Sequence, residues 1–519
     1  MKMKRIMGLL MALVLCLSAC GQKPAGEESG ATASTQETEE SSSAQEASSA
    51  AQESKPFTMG VLFSPQDTLD PATVTSPGGM VLLYAVYDSL ATMGQDGITL
   101  RMAKSIEPNQ DFTVYTVTLR DDVRFTDGTP VTGEDVLKSM KHLAESPMYQ
   151  SILGNLDPEQ SKAEGQSVML ALKQPASDFM ESTIGMFSPV AKAGEFNGTG
   201  AGAYKVEKGD PQSGFVLKAN EDYYGGKPAI PQVTLLNVPD SSSKVKALQT
   251  GEIDYAWGLD GSAIQVLSKE ADIELPKGSL DGATALELVL NTRVAPFNDP
   301  ELRRAAKLTV DREKMVKTIL GEYGEVGNDM LGKGFPTYPK DVAQTQADKE
   351  EAKRIFAEKG VTEFTIVSSD TVPGLNSATE MMVQDFKEVG VTVKVEQVDP
   401  QTFFAAMGEP YQKPAFTFYW LNRTPLAEFR SQILKDSPYN VSGYASETTE
   451  KNFILATTTQ DAAKQEEAVS AISKEIHELG GELIWGYQMD IAAKRKGFES
   501  PMTQSIPWLA EATFMPESK

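Results

Sequence analysis

Val123-Arg124-Phe125-Thr126-Asp127-Gly128-Thr129-Pro130-Val131-Thr132-Gly133-Glu134-Asp135-Val136 is a β-rich run, a turn and the start of a capped helix in fourteen consecutive residues. Asp127-Gly128-Thr129-Pro130 is turn chemistry, because Asp side chains fold back on their own backbone and Gly accepts positive φ. Thr132 and Asp135 precede the apolar positions Val136, Leu137 and Met140, the signature of a helix N-terminus. Just upstream, Tyr115-Thr116-Val117-Thr118-Leu119 alternates as a half-buried strand does. Working outward, Phe57 to Phe63 reads as an opening strand. Phe215 to Ala219 and Gln232 to Leu236 read as two strands separated by Gly225-Gly226, where the chain can turn with positive φ. Ser242 to Gly251 is a short helix stopped by glycine, and Glu287 to Asn291 is a further strand. Asp299-Pro300 opens a helix through Leu308, and Asp311 caps a second one through Leu320. Phe364 to Val367, a helix over Ala378 to Val389, Gly390, and Val391 to Val395 make a β-α-β unit, which requires a parallel pair in a separate late domain. Ala462 to Leu479 is a long amphipathic helix before Leu483-Ile484-Trp485. The fold class is α/β.

Composition narrows the function. The 519 residues carry 72 acidic and 48 basic side chains, a net charge of -24, two His and two Cys. Such a chain is a poor partner for nucleic acid, whose binding rests on Lys and Arg at phosphates. The length suits roughly three domains. At the N-terminus, Lys2, Lys4 and Arg5 precede the apolar run Ile6 to Leu17, too short for the ~20 residues of a bilayer-spanning helix and suited to a secretory signal. The run ends in Leu17-Ser18-Ala19-Cys20-Gly21, similar to a bacterial lipobox in which Cys20 takes lipid; the alternative is an ordinary signal peptide with a chance Cys. Residues 1–19 are then a signal peptide, and 20–55 a lipidated Cys with a disordered Ser-, Ala- and Glu-rich tether. Cys16 is removed with the signal, so a cysteine nucleophile and a thiolate metal site are both excluded.

Several segments carry a family resemblance, in order along the chain. They are Leu69-Asp70-Pro71, Tyr87-Asp88-Ser89-Leu90, the stretch 123–136, Gly200-Ala201-Gly202-Ala203-Tyr204-Lys205-Val206, Asn220-Glu221-Asp222-Tyr223-Tyr224-Gly225-Gly226, Leu248-Gln249-Thr250-Gly251-Glu252-Ile253-Asp254, and Asn291 with Pro296-Phe297-Asn298-Asp299, Arg303-Arg304-Ala305 and Val310-Asp311-Arg312. Together they resemble the extracellular solute-binding proteins of ABC importers, in the peptide/nickel class, over about residues 56–510. The resemblance implies a periplasmic-binding-protein-like α/β fold of type II, with two lobes around a ligand cleft and an inserted third domain. Lobe 1 is expected at 56–85, 200–285 and 483–519, the inserted domain at 86–199 and lobe 2 at 286–482. It further implies a monomeric receptor without enzymatic activity or cofactor, exported and lipid-anchored on the outer face of the cytoplasmic membrane, that delivers solute to permease and ATPase subunits.

Ligand choice is where the chain departs from the family. Peptide-binding members resemble one another in a late stretch "W-x-x-D-x-x-D-P", whose first Asp grips the peptide α-ammonium. The matching stretch is Trp420-Leu421-Asn422-Arg423-Thr424-Pro425, shorter between Trp and Pro and without a carboxylate. A guanidinium there favours an anionic group. The expected ligand offers a carboxylate to Arg423: a peptide-like solute, an amino-acid derivative, or a metal held in a small carboxylate chelator, with no metal bound directly by protein side chains. The alternative is that Arg423 pairs with Glu428 or another acid and points away from the cleft. Asn422 and the aromatics Trp420, Tyr419, Trp257 and Tyr84 complete the candidate binding residues; core packing is the alternative for the aromatics, and is favoured for Tyr419 by its alternation with Trp420. Arg303 and Arg304 fit helix positions paired with acids better than ligand contacts. His142 and His477 fit surface helix positions better than metal ligands, and Gly200 and Gly202 fit structure better than an anion cradle. Competing functions are an ordinary oligopeptide or dipeptide receptor, a peptide-binding chaperone, and, least supported, a secreted hydrolase, for which the chain offers no G-x-S-x-G motif.

Overall fold

The computed structural model describes residues 56–94, 97–403, 410–437, 439–503 and 505–515; the signal, Cys20 and the tether expected from the sequence lie outside the described residues. The chain opens with β1 (Phe57–Val61) and the helix Pro77–Val86. It continues through β2 (Ala91–Gly94), β3 (Gly97–Leu100), β4 (Ala103–Pro108), β5 (Val114–Leu119), the helix Gly133–Glu145, β6 (Leu156–Glu164) and β7 (Ser167–Leu172). Then come β8 (Tyr204–Asp210), β9 (Gly214–Ala219), β10 (Gln232–Asn237), β11 (Tyr255–Leu259) and β12 (Ile273–Glu274). The later part holds β13 (Thr284–Leu290), β14 (Gly324–Val326), β15 (Glu363–Ser368), β16 (Thr392–Gln397), β17 (Ala415–Leu421), β18 (Glu482–Gln488) and β19 (Ile491–Arg495).

These strands form three main sheets. The first runs β12-β19-β11-β1-β10-β9-β8, the second β14-β18-β13-β17-β15-β16, and the third β4-β5-β7-β6. Buried residues of the first and third sheets, among them Phe57, Tyr115 and Phe215, belong to one core, together with Tyr87 at the end of the helix Pro77–Val86. The second sheet buries Leu286 and Trp485 on one face and Ala285 and Ile484 on the other. β18 pairs with β13 from Val289↔Glu482 to Thr284↔Gln488. The sequence-based boundary at 483 is therefore too early: Leu483 to Trp485 are enclosed by the second sheet's cores, and the chain reaches the first sheet only at β19. The chain thus passes between these two sheets at 275–283 and again at 489–490.

Local chemistry explains the elements. Tyr115, Val117 and Leu119 turn inward while Thr116 is exposed. Thr132 Oγ1 accepts from the Asp135 N–H and Asp135 Oδ2 accepts from the Thr132 N–H, closing a capping box on the helix Gly133–Glu145. The helix Ser241–Thr250 begins one residue before Ser242, because Asp240 rather than Ser242 caps it, and it ends at Gly251 with φ 75°. The β-α-β unit is present as a parallel pair, Glu363↔Thr392 to Ser368↔Gln397, around the helix Leu375–Glu388.

The family-like motifs meet one another. Asp88 accepts hydroxyl hydrogen bonds from Tyr223 at 2.6 Å and Tyr224 at 2.5 Å. Gly200 and Gly202 lie against the last turn of the helix Pro77–Val86, where a Cβ would come within 2.1 Å of the Val86 carbonyl oxygen and 2.4 Å of that of Ala85. Arg312 Nη2 donates to both Asp329 oxygens, at 2.9 and 2.8 Å, with side-chain exposures of 1% and 0%. Removing one partner of a buried pair strands the other charge in a low dielectric. Asp329→Ala is expected to destabilise the protein by about 3–5 kcal/mol; an unchanged denaturant midpoint would contradict this role.

Candidate functional site

β17 lies between β13 and β15 in the second sheet. Pairing with β13 puts Phe416, Phe418 and Trp420 opposite Val289, Glu287 and Ala285, so these three share one face while Thr417 and Tyr419 occupy the other. At the end of the strand Tyr419 and Trp420 are half-buried and Leu421 is exposed. Trp420, Tyr419, Arg423, Glu428 and Gln432 line a cavity of about 490 Å³, with Tyr411 and Tyr439 adding aromatic wall. Met148, from the segment leading to β6, also lines it. The space thus lies between the second sheet and the segment that carries the third. Its volume falls in the ~300–1,000 Å³ range of small-molecule sites.

Three of the residues expected from sequence come together here: Arg423, Trp420 and Tyr419. The others do not. Asn422 is buried beside the cavity wall, and its Nδ2 donates to the carbonyls of Leu280 at 2.6 Å and Lys333 at 2.7 Å, tying the end of β17 to the crossing segment. Tyr84 packs edge-on against Phe187 and Trp508 and donates to the Met186 carbonyl at 3.1 Å. Trp257 is buried in the core of the first and third sheets, opposite Ala492 on β19. Their cross-chain partners, invisible in a local pattern, draw both rings into the core.

Electrostatics around Trp420 and Arg423 involve residues that sequence reading missed or gave another role. Trp420 Nε1 donates to Glu287 Oε1 at 2.9 Å. Burial, reinforced by the charge of Glu482, pushes the Glu287 carboxyl up to about 8. Glu428 accepts from the backbone N–H of Arg423 at 2.8 Å and from Gln432 Nε2. Burial lifts Glu428 to about 7, opposed by the nearby Arg423 guanidinium. The anticipated Arg423–Glu428 contact is thus made by the main chain, while the Arg423 side chain lines the cavity. No local sequence signal marks Glu287, Gln432, Tyr411 or Tyr439.

The remaining candidates are structural. Arg303 donates to the Leu479 and Phe297 carbonyls instead of to an acid, whereas Arg304 pairs with Glu351. His142 sits 2.9 Å from Asp70, and His477 Nδ1 lies 2.8 Å from the Asn328 carbonyl. Both are half-buried rather than simple surface positions. Among the described residues, no group of three or more His, Cys, Asp or Glu is placed to hold a metal, and no helix is long and apolar enough to cross a membrane.

Two sheets joined by paired crossings, with an aromatic- and cation-lined cavity at one edge, have the layout of a receptor for small solutes. Residues 97–480 match the family model "Bacterial extracellular solute-binding proteins, family 5 Middle", and the chain belongs to that family; it is a solute-binding protein of the ABC-importer type and not an enzyme. It is 24% identical over 373 residues to the probable D,D-dipeptide-binding periplasmic protein DdpA of Escherichia coli, covering 68% of this chain and 72% of that protein. It is 23% identical over 427 residues to the glutathione-binding protein GsiB of Salmonella typhimurium, covering 76% and 81%. Among solved structures, the substrate-binding protein CtaP of Listeria monocytogenes has the same fold, with TM-score 0.78 at 22% identity, covering 89% of this chain and 99% of that one. NikA of Staphylococcus aureus, solved with Ni(L-His)2, aligns with TM-score 0.69 at 17% identity, covering 89% and 100%.

The raised Glu287 carboxyl carries a pH signature. Burial favours its neutral form, so its contribution to stability is complete below the ordinary value of 4.5 and is lost as pH rises toward about 8. Glu287→Gln, which stays neutral, is expected to flatten the fall in melting temperature between those pH values. An identical pH profile in the variant would show that Glu287 is already ionised in the fold.

Proposed function

We propose that this chain is the lipid-anchored receptor of an ABC importer, and that it captures a small carboxylate-bearing solute, peptide-like or a chelated metal, in the cavity at the end of β17. The observation that carries the reading is Arg423. Its side chain lines an aromatic-walled cavity, and among the described residues it has no carboxylate within ion-pair distance. A guanidinium with five N–H donors favours a planar anion, and Trp420 and Tyr419 offer surfaces for the rest of the solute. Relatives named for D,D-dipeptide and glutathione binding, and a structural neighbour holding Ni(L-His)2, are compatible with either ligand form.

In this reading the first and third sheets form one side of a cleft and the second sheet the other, with hinges at 275–283 and 489–490. Ligand closes the cleft, and the permease with its ATPase reads the closed state. Cleavage after Ala19 and lipid on Cys20 hold the receptor, as a monomer, at the outer face of the cytoplasmic membrane; intact-mass analysis of the membrane fraction tests this through the added mass on Cys20. The ligand is identified by native mass spectrometry of the protein as purified. Isothermal titration with that solute is expected to show Arg423→Ala weakening binding tenfold or more, a loss of about 1.4 kcal/mol. Unchanged affinity removes Arg423 from the site.

A further inference from the structure

The aromatic wall of the cavity is tied down from behind. The Trp420 ring lines the cavity and lies 4.7 Å from the Phe418 ring and 6.3 Å from that of Tyr439, centroid to centroid. These ring contacts leave an indole free to slide or tilt. Its one polar group is the Nε1–H, and that donates to Glu287 Oε1 at 2.9 Å. Glu287 stands on β13, on the face shared by Phe418 and Trp420. It is 1% exposed, and its Oε2 is buried without a hydrogen-bond partner among the described residues.

Such a carboxyl suits one protonation state. Neutral, it satisfies the indole through Oε1 and leaves one polar atom unmet. Ionised, it brings a full charge and more unmet acceptor capacity into the interior, which costs far more. The groups facing it add to that cost. Glu482 on β18, Glu428 on the segment Pro425–Glu428 and Asp329 beyond β14 are all acids. The Tyr487 hydroxyl, on β18, donates to the Met330 carbonyl. The nearby cations are committed elsewhere: Arg312 to Asp329, Arg303 and Lys307 to carbonyls at the end of the helix Ala462–Leu479.

We propose that Glu287 is a positioning residue for the solute site: its carboxyl fixes the Trp420 indole as the cavity's aromatic wall, and the wall loosens when that carboxyl gains charge. This rests on the reading of the cavity as the solute site and gives that site a pH dependence. Burial and the neighbouring acids raise Glu287 to about 8, so the tie is intact at the ordinary carboxyl value of 4.5 and is lost as pH rises through about 8. A charged carboxylate gains donors from water, which reaches it from the cavity, so it shifts outward and carries the ring with it. A solute covering the cavity excludes that water and favours the neutral form. Occupancy of the cavity and ionisation of Glu287 therefore oppose one another.

The chain's four Trp make the tie measurable without a solute. Trp257, Trp485 and Trp508 are 8%, 0% and 2% exposed, whereas Trp420 is half-buried. Acrylamide, a small neutral quencher, therefore reports mainly on Trp420, and Trp420→Phe supplies the background. In the purified protein, quenching is expected to rise between about pH 6.5 and about pH 9.5, where a carboxyl at about 8 goes from roughly 3% to roughly 97% ionised. Glu287→Gln stays neutral and still accepts from the indole, so its quenching is low at both ends. Glu287→Met removes the acceptor, so its quenching is high at both ends; its melting temperature is measured alongside, and if it does not fold the Gln variant decides alone. A flat wild-type profile, or a rise that Glu287→Gln reproduces, overturns the proposal. So does a folded Glu287→Met variant quenched no more than wild type at the lower pH. These outcomes leave Arg423 untouched, whereas unchanged solute affinity in Arg423→Ala overturns that residue's role in the site and not the tie between Glu287 and Trp420.

Discussion

The antiparallel pairing of β13 with β18 decides where the chain can bend and where the cavity lies. β13 follows the first crossing between sheets and β18 precedes the second. Because Thr284 pairs with Gln488, both crossings leave the second sheet side by side. Backbone donors and acceptors in a buried strand must be satisfied, so this register cannot slip without exposing a whole face. The opposite edge of β13 holds β17 in register from Thr284↔Leu421 to Leu290↔Ala415. Trp420 therefore stands across from the small Ala285, with Glu287 as its diagonal neighbour on the same face. That diagonal lies within reach of an indole, and the Trp420–Glu287 hydrogen bond follows from it. The cavity wall is thus a consequence of strand register more than of loop conformation.

Charge is distributed with the same economy. In the half of the molecule built on the second sheet, buried cations answer backbone carbonyls. Arg303 reaches Leu479, and Lys307 reaches Ile476 and His477 at 3.1 and 2.9 Å, all at the C-terminal end of the helix Ala462–Leu479. The helix dipole and its unpaired carbonyls favour cations there. Arg312 is neutralised by Asp329. The acids behind Trp420 are arranged differently: burial, with the charges of Glu482 and Glu428, raises Glu287 and favours its neutral form. Against that background the Arg423 guanidinium lies close enough to act on the Glu428 carboxyl, yet makes no ion pair among the described residues.

Much of this was legible in the sequence, for physical reasons. Caps at Thr132, Asp299 and Asp311 are local hydrogen-bond chemistry, and the helices begin where those residues stand. The β-α-β unit at 363–397 announces itself by periodicity and a terminal glycine. The Trp420–Arg423 stretch was legible as a departure from a family pattern. What stayed hidden depends on tertiary pairing. The alternation of Leu483 to Trp485 marks a strand but not its sheet, so the boundary between sheets fell too early. An aromatic such as Tyr84 or Trp257 reads the same whether it faces a ligand or a core. Glu428, Gln432 and Glu287 resemble any polar residues of an acidic chain until burial and the Arg423 main chain single them out.

The segment Pro425–Ile433 shows how one short element can join the cavity to the contact between the two sides. Its second half is a π-turn, Phe429–Ile433, wider than an α-turn and often found where a side chain must be re-aimed. Glu428 and Gln432 point one way, into the cavity. Arg430, between them, points the other way, donating to both oxygens of Asp178 at 2.7 Å and lying 5.2 Å from the Phe453 ring. Asp178 follows β7 of the third sheet, so this bidentate pair spans the two sides. It is seconded by the Ser177 N–H, which donates to the Thr457 carbonyl at 2.8 Å. A bidentate Arg–carboxylate pair is geometrically demanding, and it holds only while the backbone of 429–433 keeps its course. The cavity wall at Glu428 and Gln432 and the contact at Asp178 are therefore built on the same few peptide units.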